Sequence, residues 1–280
     1  METLRISVAS PAAVSGLVAG ADDESAGILL VAFGTTTDAG GLAYGNIEKR
    51  VRAAFPGLPV FWAFTSGMVR KKLEQRGEAV HSPTEALERM QAEGIQRVLV
   101  QSLHVVAGQE FHKLVREVRR ARHQFKFSAL SCGRPLLFAR ADLEDCLAAV
   151  IAAHPREAGE ALLLMAHGND HGHGDLAYLA TDLTLRALAG PAFLAGVEGG
   201  VSFVEAAKNL WDQGCRRVLL APFMIVAGEH ARNDLAGENP DSWKSRLEKQ
   251  GVACRVKLSG LGEIDAVADI FVRHLRAAAS

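Results

Sequence analysis

The sequence predicts an α/β protein made of two similar lobes, each a parallel sheet flanked by helices, facing one another across a cleft. Three observations predict it. Short apolar runs such as Gly27–Phe33 alternate with amphipathic stretches, the pattern of βαβ units whose strands are covered on both faces. The second half repeats the first. Residues 83–110 align without a gap on 203–230, with Glu85/Glu205, Ala86/Ala206, Gly94/Gly214, Arg97/Arg217, Val106/Val226 and Gly108/Gly228 identical. Finally, 280 residues suit two domains of ordinary size better than one small one.

The elements follow in order. Gly27–Phe33 closes on Gly34-Thr35-Thr36 and predicts a buried strand entering a loop. Ala43, Ile47, Val51 and Phe55 then fall on one helical stripe. Pro59–Phe64 predicts a second strand. Ser82-Pro83-Thr84-Glu85 is a helix start, with Ser82 as cap, Pro83 at the first helical position and Glu85 completing a capping box. That helix should end at Gly94, and Arg97–Val106 predicts a third strand. In the second copy, Leu163–Gly168 repeats Leu29–Gly34, and Phe193-Leu194-Ala195 repeats Phe61-Trp62-Ala63. Ile264–Ala279 predicts a closing helix with Ile264, Val267, Phe271 and Leu275 on its inner face. The expected division is a flexible leader over 1–26, an N-terminal lobe over 27–137 and a C-terminal lobe with the closing helix over 138–280.

Composition excludes several functions. A formal net charge of -1 offers no basic excess for nucleic acid. No run is long and apolar enough to cross a bilayer. Residues Ile6–Ala21 are small and mildly apolar, but Glu2 accompanies Arg5 and Pro11 interrupts the run. A leader rather than an export signal is expected, and with it a cytoplasmic location. Cys132, Cys146, Cys215 and Cys254 form no C-x-x-C pair, so buried reduced thiols are expected. There is no phosphate-binding P-loop and no dinucleotide fingerprint, so no nucleotide is expected. Zinc-protease and serine-hydrolase motifs are also absent from the sequence.

The two copies differ where chemistry belongs. In parallel α/β sheets, functional residues gather at the carboxyl ends of strands. There Phe33 of the first copy is His167 in the second, Ser66 is Glu198, and Glu110 is His230. A single strand-end histidine is ordinarily a packing residue, but two histidines and a carboxylate at matched ends of one sheet point to a metal site. That donor set suits cobalt, iron, nickel or zinc and leaves positions open for a substrate. Other residues are weaker candidates. His171 and His173 form an H-x-H pair in the Asn169–Gly174 loop, where solvation and an auxiliary metal role both fit. His104 fits either packing or a cleft lining. Gly34-Thr35-Thr36 fits a loop or an anion cradle. Arg70, Lys71 and Lys72 fit a solvated helix face or contact with an anionic substrate.

Several blocks carry a family resemblance: residues 29–36, Ala63–Met68, Gln101–Glu110, Met165–Gly168, Val197–Gly199, Val226–Asp234, Asp241–Trp243 and Leu258–Gly262. Together they resemble the anaerobic-pathway sirohydrochlorin cobaltochelatases of the class II chelatase superfamily. The likeness covers nearly the whole chain after about residue 27, and its Gln101–His104 and Gly228–Asp234 blocks are specific. It implies two α/β lobes around a tetrapyrrole cleft and insertion of Co²⁺ into sirohydrochlorin, or its oxidised form, for cobalamin synthesis. It makes His167 and His230 the metal histidines, Glu198 the carboxylate ligand, His167 also the proton acceptor, and Glu110 a further cleft carboxylate. Sirohydrochlorin bears many carboxylates, so Arg232 is a candidate cation, and Phe33, Gly34, Thr35 and His104 are the remaining candidate substrate contacts. Exported relatives carry haem with a histidine like His104 implicated; without an export leader, a haem role has no support here. Fe²⁺ insertion to make sirohaem, a non-catalytic metal or tetrapyrrole carrier, and a two-histidine-one-carboxylate oxygenase stand as alternatives. The sequence is compatible with a homo-oligomer and leaves the oligomeric state open.

Overall fold

The computed structural model describes residues 25–168 and 173–279. The expected leader lies almost entirely outside the described residues, as do Asn169, Asp170, His171 and Gly172. Two sheets of four parallel strands form the framework. The first holds β1 (Ala26–Ala32), β2 (Val60–Phe64), β3 (Arg97–Ser102) and β4 (Ala129–Gly133), in the order β2-β1-β3-β4. The second holds β5 (Glu160–Ala166), β6 (Ala192–Gly196), β7 (Arg217–Pro222) and β8 (Ala253–Val256), in the order β6-β5-β7-β8. The order is the same in each.

The repeat extends to register. Val31 pairs with Ala63 and Ser102, and Met165 pairs with Ala195 and Pro222. These are the residues that the two copies align. The loops agree as well. Leu103 N–H donates to the Val31 carbonyl at 2.8 Å, and Phe223 N–H donates to that of Met165 at 2.6 Å. The third strand ends at Ser102 and not at Val106. Beyond it the carbonyls of His104 and Val105 accept instead from Leu136 and Leu137 of the connector that follows β4.

Helices cover both faces of the sheets. In the first lobe they are α1 (Ala39–Ala54), α2 (Gly67–Glu74), α3 (Pro83–Ala92) and α4 (Gln109–Gln124). Ala43, Ile47 and Val51 of α1 are fully buried, with Phe55 just beyond, as their spacing requires. Ser82 Oγ accepts from Glu85 N–H, and Glu85 Oε2 accepts from Ser82 N–H, closing the expected capping box at α3. The chain continues through α5 (Arg140–Ala153), α6 (His173–Ala189), α7 (Phe203–Asp212), α8 (Trp243–Lys249) and α9 (Asp265–Ala279). Among the described residues no helix is long and apolar enough to cross a membrane. All four cysteines are free thiols.

The closing helix α9 does not stay with the sheet that precedes it. It packs on α1, β3 and β4 of the first lobe and on α5. Val267, Phe271 and Leu275 are fully buried and join one apolar cluster with Ile28 and Leu30 of the first sheet and Leu162 and Leu164 of the second. A buried polar group fixes this crossing. Asp142 at the start of α5 meets Arg273 Nη2 at 2.9 Å and His274 Nε2 at 3.0 Å, both on α9. Burial alone would push the Asp142 carboxyl up, but the hydrogen bond and charge of His274, with Arg273, hold it at about 2. His274 Nδ1 lies 3.3 Å from the Arg134 carbonyl. The connector between the lobes is thus tied to the last helix.

Candidate functional site

The site lies at the carboxyl end of β5 and β6. His167 follows the last residue of β5, and Glu198 sits in the loop after β6. Val197 and Glu198 donate their N–H groups to the carbonyls of Ala166 and His167 at 3.0 and 3.1 Å. This ladder brings the two side chains together, with His167 Nδ1 3.3 Å from Glu198 Oε1. Glycine makes the approach feasible. Gly168 has φ +89°, and a Cβ on it would stand 1.8 Å from the Glu198 carbonyl oxygen; on Gly196 it would stand 2.3 Å away. Any side chain at either position would drive the Glu198 backbone off His167.

His230 arrives from the loop after β7. In the first lobe the matching segment opens a regular helix, α4. Here the chain instead makes one wide π turn, Ala231–Leu235, with His230 immediately before it. Such turns occur often at functional positions. The imidazoles of His167 and His230 meet edge to face, with centroids 5.2 Å apart and planes at 88°. His167, Glu198 and His230 are each about half exposed, so a ligand can reach them. Among the described residues no three His, Cys, Asp or Glu side chains are gathered into a ready metal cluster. The contacts are pairwise, with His167 touching both of the others.

Sequence reasoning missed two carboxylates that hold these groups. Asp234 Oδ2 accepts a hydrogen bond of 2.6 Å from His230 Nδ1. Asp175, in the first turn of α6, accepts from Gly200 N–H at 2.9 Å and so ties down the loop that carries Glu198. The first had a signal, a carboxylate four residues after a candidate ligand histidine. The second had none, because 25 residues separate its partners.

Other expected residues are placed on the first lobe. Phe33 is 49% exposed at the end of β1. Gly34 and Thr35 follow it, and a Cβ on Gly228 would come within 3.7 Å of Thr35 Oγ1, so this loop abuts the loop that carries His230. Glu110 stands in the first turn of α4, 3.8 Å from Lys113 Nζ. Among the described residues no hydrogen bond or ion pair joins Glu110 to His167, Glu198 or His230. His104 Nδ1 lies 2.9 Å from Ser102 Oγ, and its Nε2 is sealed from solvent without a hydrogen-bond partner. Burial pushes His104 down to about 4, against the opposing effect of Glu110, so its ring is neutral at pH 7. Arg232 is exposed within the π turn. His171 lies outside the described residues, and His173 opens α6.

Two parallel α/β lobes with histidine and carboxylate side chains at the strand ends fit the class of two-lobed metal chelatases. The chain belongs to the cobalt chelatase (CbiK) family, whose model matches residues 26–280. It is 37% identical over 256 residues to the sirohydrochlorin cobaltochelatase CbiKC of Nitratidesulfovibrio vulgaris, covering 91% of this chain and 90% of that one. It is 38% identical over 256 residues to the sirohydrochlorin cobaltochelatase of Salmonella typhimurium, covering 90% and 95%. In fold it is similar to SirB from Bacillus subtilis with Fe3+, at a TM-score of 0.62 and 14% identity, covering 91% of this chain and 96% of that one.

Proposed function

We propose that this chain inserts Co²⁺ into sirohydrochlorin, or its oxidised form, making cobalt-sirohydrochlorin for cobalamin biosynthesis. The observation that carries the reading is the contact of His167 with both Glu198 and His230, at the strand ends of a cobalt chelatase family member. Two neutral imidazoles and one carboxylate suit Co²⁺ and leave coordination positions for incoming pyrrole nitrogens.

The reaction exchanges one divalent cation for two pyrrole protons, with no change of oxidation state. His230 and Glu198 deliver the cation. His167, touching both, accepts a pyrrole proton as the metal enters. Glu110, from the facing lobe, helps carry protons away. Phe33 offers an exposed aromatic face to the macrocycle, with Gly34, Thr35 and His104 beside it, and Arg232 offers a cation to the substrate carboxylates. Metal–nitrogen bond formation drives the exchange, so the reaction needs no nucleotide. This reading places the enzyme in the cytoplasm, with a tetrapyrrole and a metal ion as its partners. The same donors accept Fe²⁺, and a competition assay ranks the two ions.

The test is an anaerobic insertion assay with purified protein, sirohydrochlorin and Co²⁺, followed by tetrapyrrole absorbance. Turnover above the protein-free rate, lost in His167→Ala and His230→Ala, is the expected result. Stoichiometric Co²⁺ binding without acceleration would favour a metal carrier instead. Retention of both Co²⁺ affinity and rate in Glu198→Ala would remove that residue from the ligand set.

A further inference from the structure

We infer that Asp234 is a positioning residue for metal delivery, holding His230 in the one tautomer that can donate to a cation. This rests on the chelatase reading of His230.

A carboxylate only accepts hydrogen bonds at neutral pH. At 2.6 Å from Asp234 Oδ2, His230 Nδ1 must therefore carry the proton. In the neutral ring that leaves the lone pair on Nε2. A histidine held in this way presents one fixed donor atom in a fixed ring orientation. The pair is local, four residues apart on the π turn that follows His230. Both side chains are about half exposed, so Asp234 is not filling a core position.

The internal repeat supports the pairing. At the matching positions of the first lobe stand Glu110 and Leu114. Leu114 is fully buried on the inner face of α4. In the second lobe the histidine, the aspartate and the π turn replace the glutamate, the leucine and the α-helix together. Packing accounts for Leu114; it does not account for a half-exposed Asp234 aimed at a histidine nitrogen. Glu198 differs from Asp234 in kind. It approaches His167 at 3.3 Å, long for a charge-assisted hydrogen bond, and so remains available to the metal.

The experiment compares wild type, Asp234→Ala, Asp234→Asn, Asp234→Glu and His230→Ala. Co²⁺ binding is read from the visible absorption of the bound ion, and the His230 tautomer from ¹⁵N chemical shifts of the metal-free protein. Asp234→Ala should weaken Co²⁺ binding by about 10- to 100-fold and lose the single Nδ1–H tautomer. Asp234→Glu should restore most of both. Asp234→Asn keeps the shape and loses the charge, and should fall between them. Weakened binding in His230→Ala with wild-type affinity in Asp234→Ala would overturn the positioning role alone. So would an unchanged tautomer in Asp234→Ala. Unchanged affinity in His230→Ala would overturn the metal reading of His230, and the role of Asp234 with it.

Discussion

Glu198 donates its backbone N–H to the carbonyl of His167 at 3.1 Å, the same bond that Ser66 makes to Phe33 in the first lobe. The frame is shared and only the side chains differ. One lobe therefore presents a serine and a phenylalanine where the other presents a carboxylate and an imidazole.

That shared frame depends on a glycine. Gly168→Ala should displace the Glu198 loop, because the new Cβ would stand 1.8 Å from the Glu198 carbonyl oxygen at a positive φ. A strained conformation of this kind costs of order 1–3 kcal/mol. Denaturant unfolding should show the loss, and Co²⁺ affinity and insertion rate should fall with it. An unchanged insertion rate would mean that Glu198 need not sit against His167.

Phe33→Ala separates substrate binding from metal chemistry. The ring is 49% exposed. Its loss should raise KM for sirohydrochlorin about tenfold, equivalent to roughly 1.4 kcal/mol of apolar contact, with kcat little altered. Steady-state kinetics at saturating Co²⁺ measure this directly.

The tie between α5 and α9 should govern stability without touching the site. Asp142→Ala leaves the buried His274 without its carboxylate partner, while half-exposed Arg273 keeps Asp145; a buried polar group left unpaired in this way costs about 1–3 kcal/mol. Asp142 is held at about 2, below its ordinary value of 3.8. Its contribution is therefore complete above about pH 4 and is lost as pH falls towards 2. Denaturation at pH 7 and at pH 2–3, in wild type and variant, should converge at the lower pH.

His104 acts in a different window. Its folded value of about 4 lies below the ordinary 6.5. The unfolded chain takes up the proton first as pH falls, so stability declines between about pH 6.5 and pH 4 and then levels off. His104→Gln should flatten the stability curve over that interval. The same curvature persisting in the variant would assign it to another group.

Removing the cap of α3 provides a control. Ser82→Ala should cost about 1 kcal/mol and leave Co²⁺ insertion unchanged, since none of His167, Glu198 and His230 takes part in the capping box.

Much of this protein was legible in the chain. The strands, the α3 capping box and the inward stripe of α1 follow from local periodicity, which needs no partner to be read. The internal repeat made the comparison of lobes available, and so identified His167, Glu198 and His230 as the residues that depart from it. Repeats preserve backbone frame, and a frame shared by two copies exposes each functional departure.

Tertiary structure alone decided the rest. Asp234 as the partner of His230 needed the π turn, a wider turn than the helical repeat predicts. Asp175 holding the Glu198 loop joins residues 25 apart. The crossing of α9 onto the first sheet rests on Asp142 meeting Arg273 and His274, more than 120 positions later in the chain. The last two contacts have no period and no local signature. They come into being only when packing brings distant segments together, whereas the strand-end histidines were marked by the regular structure around them.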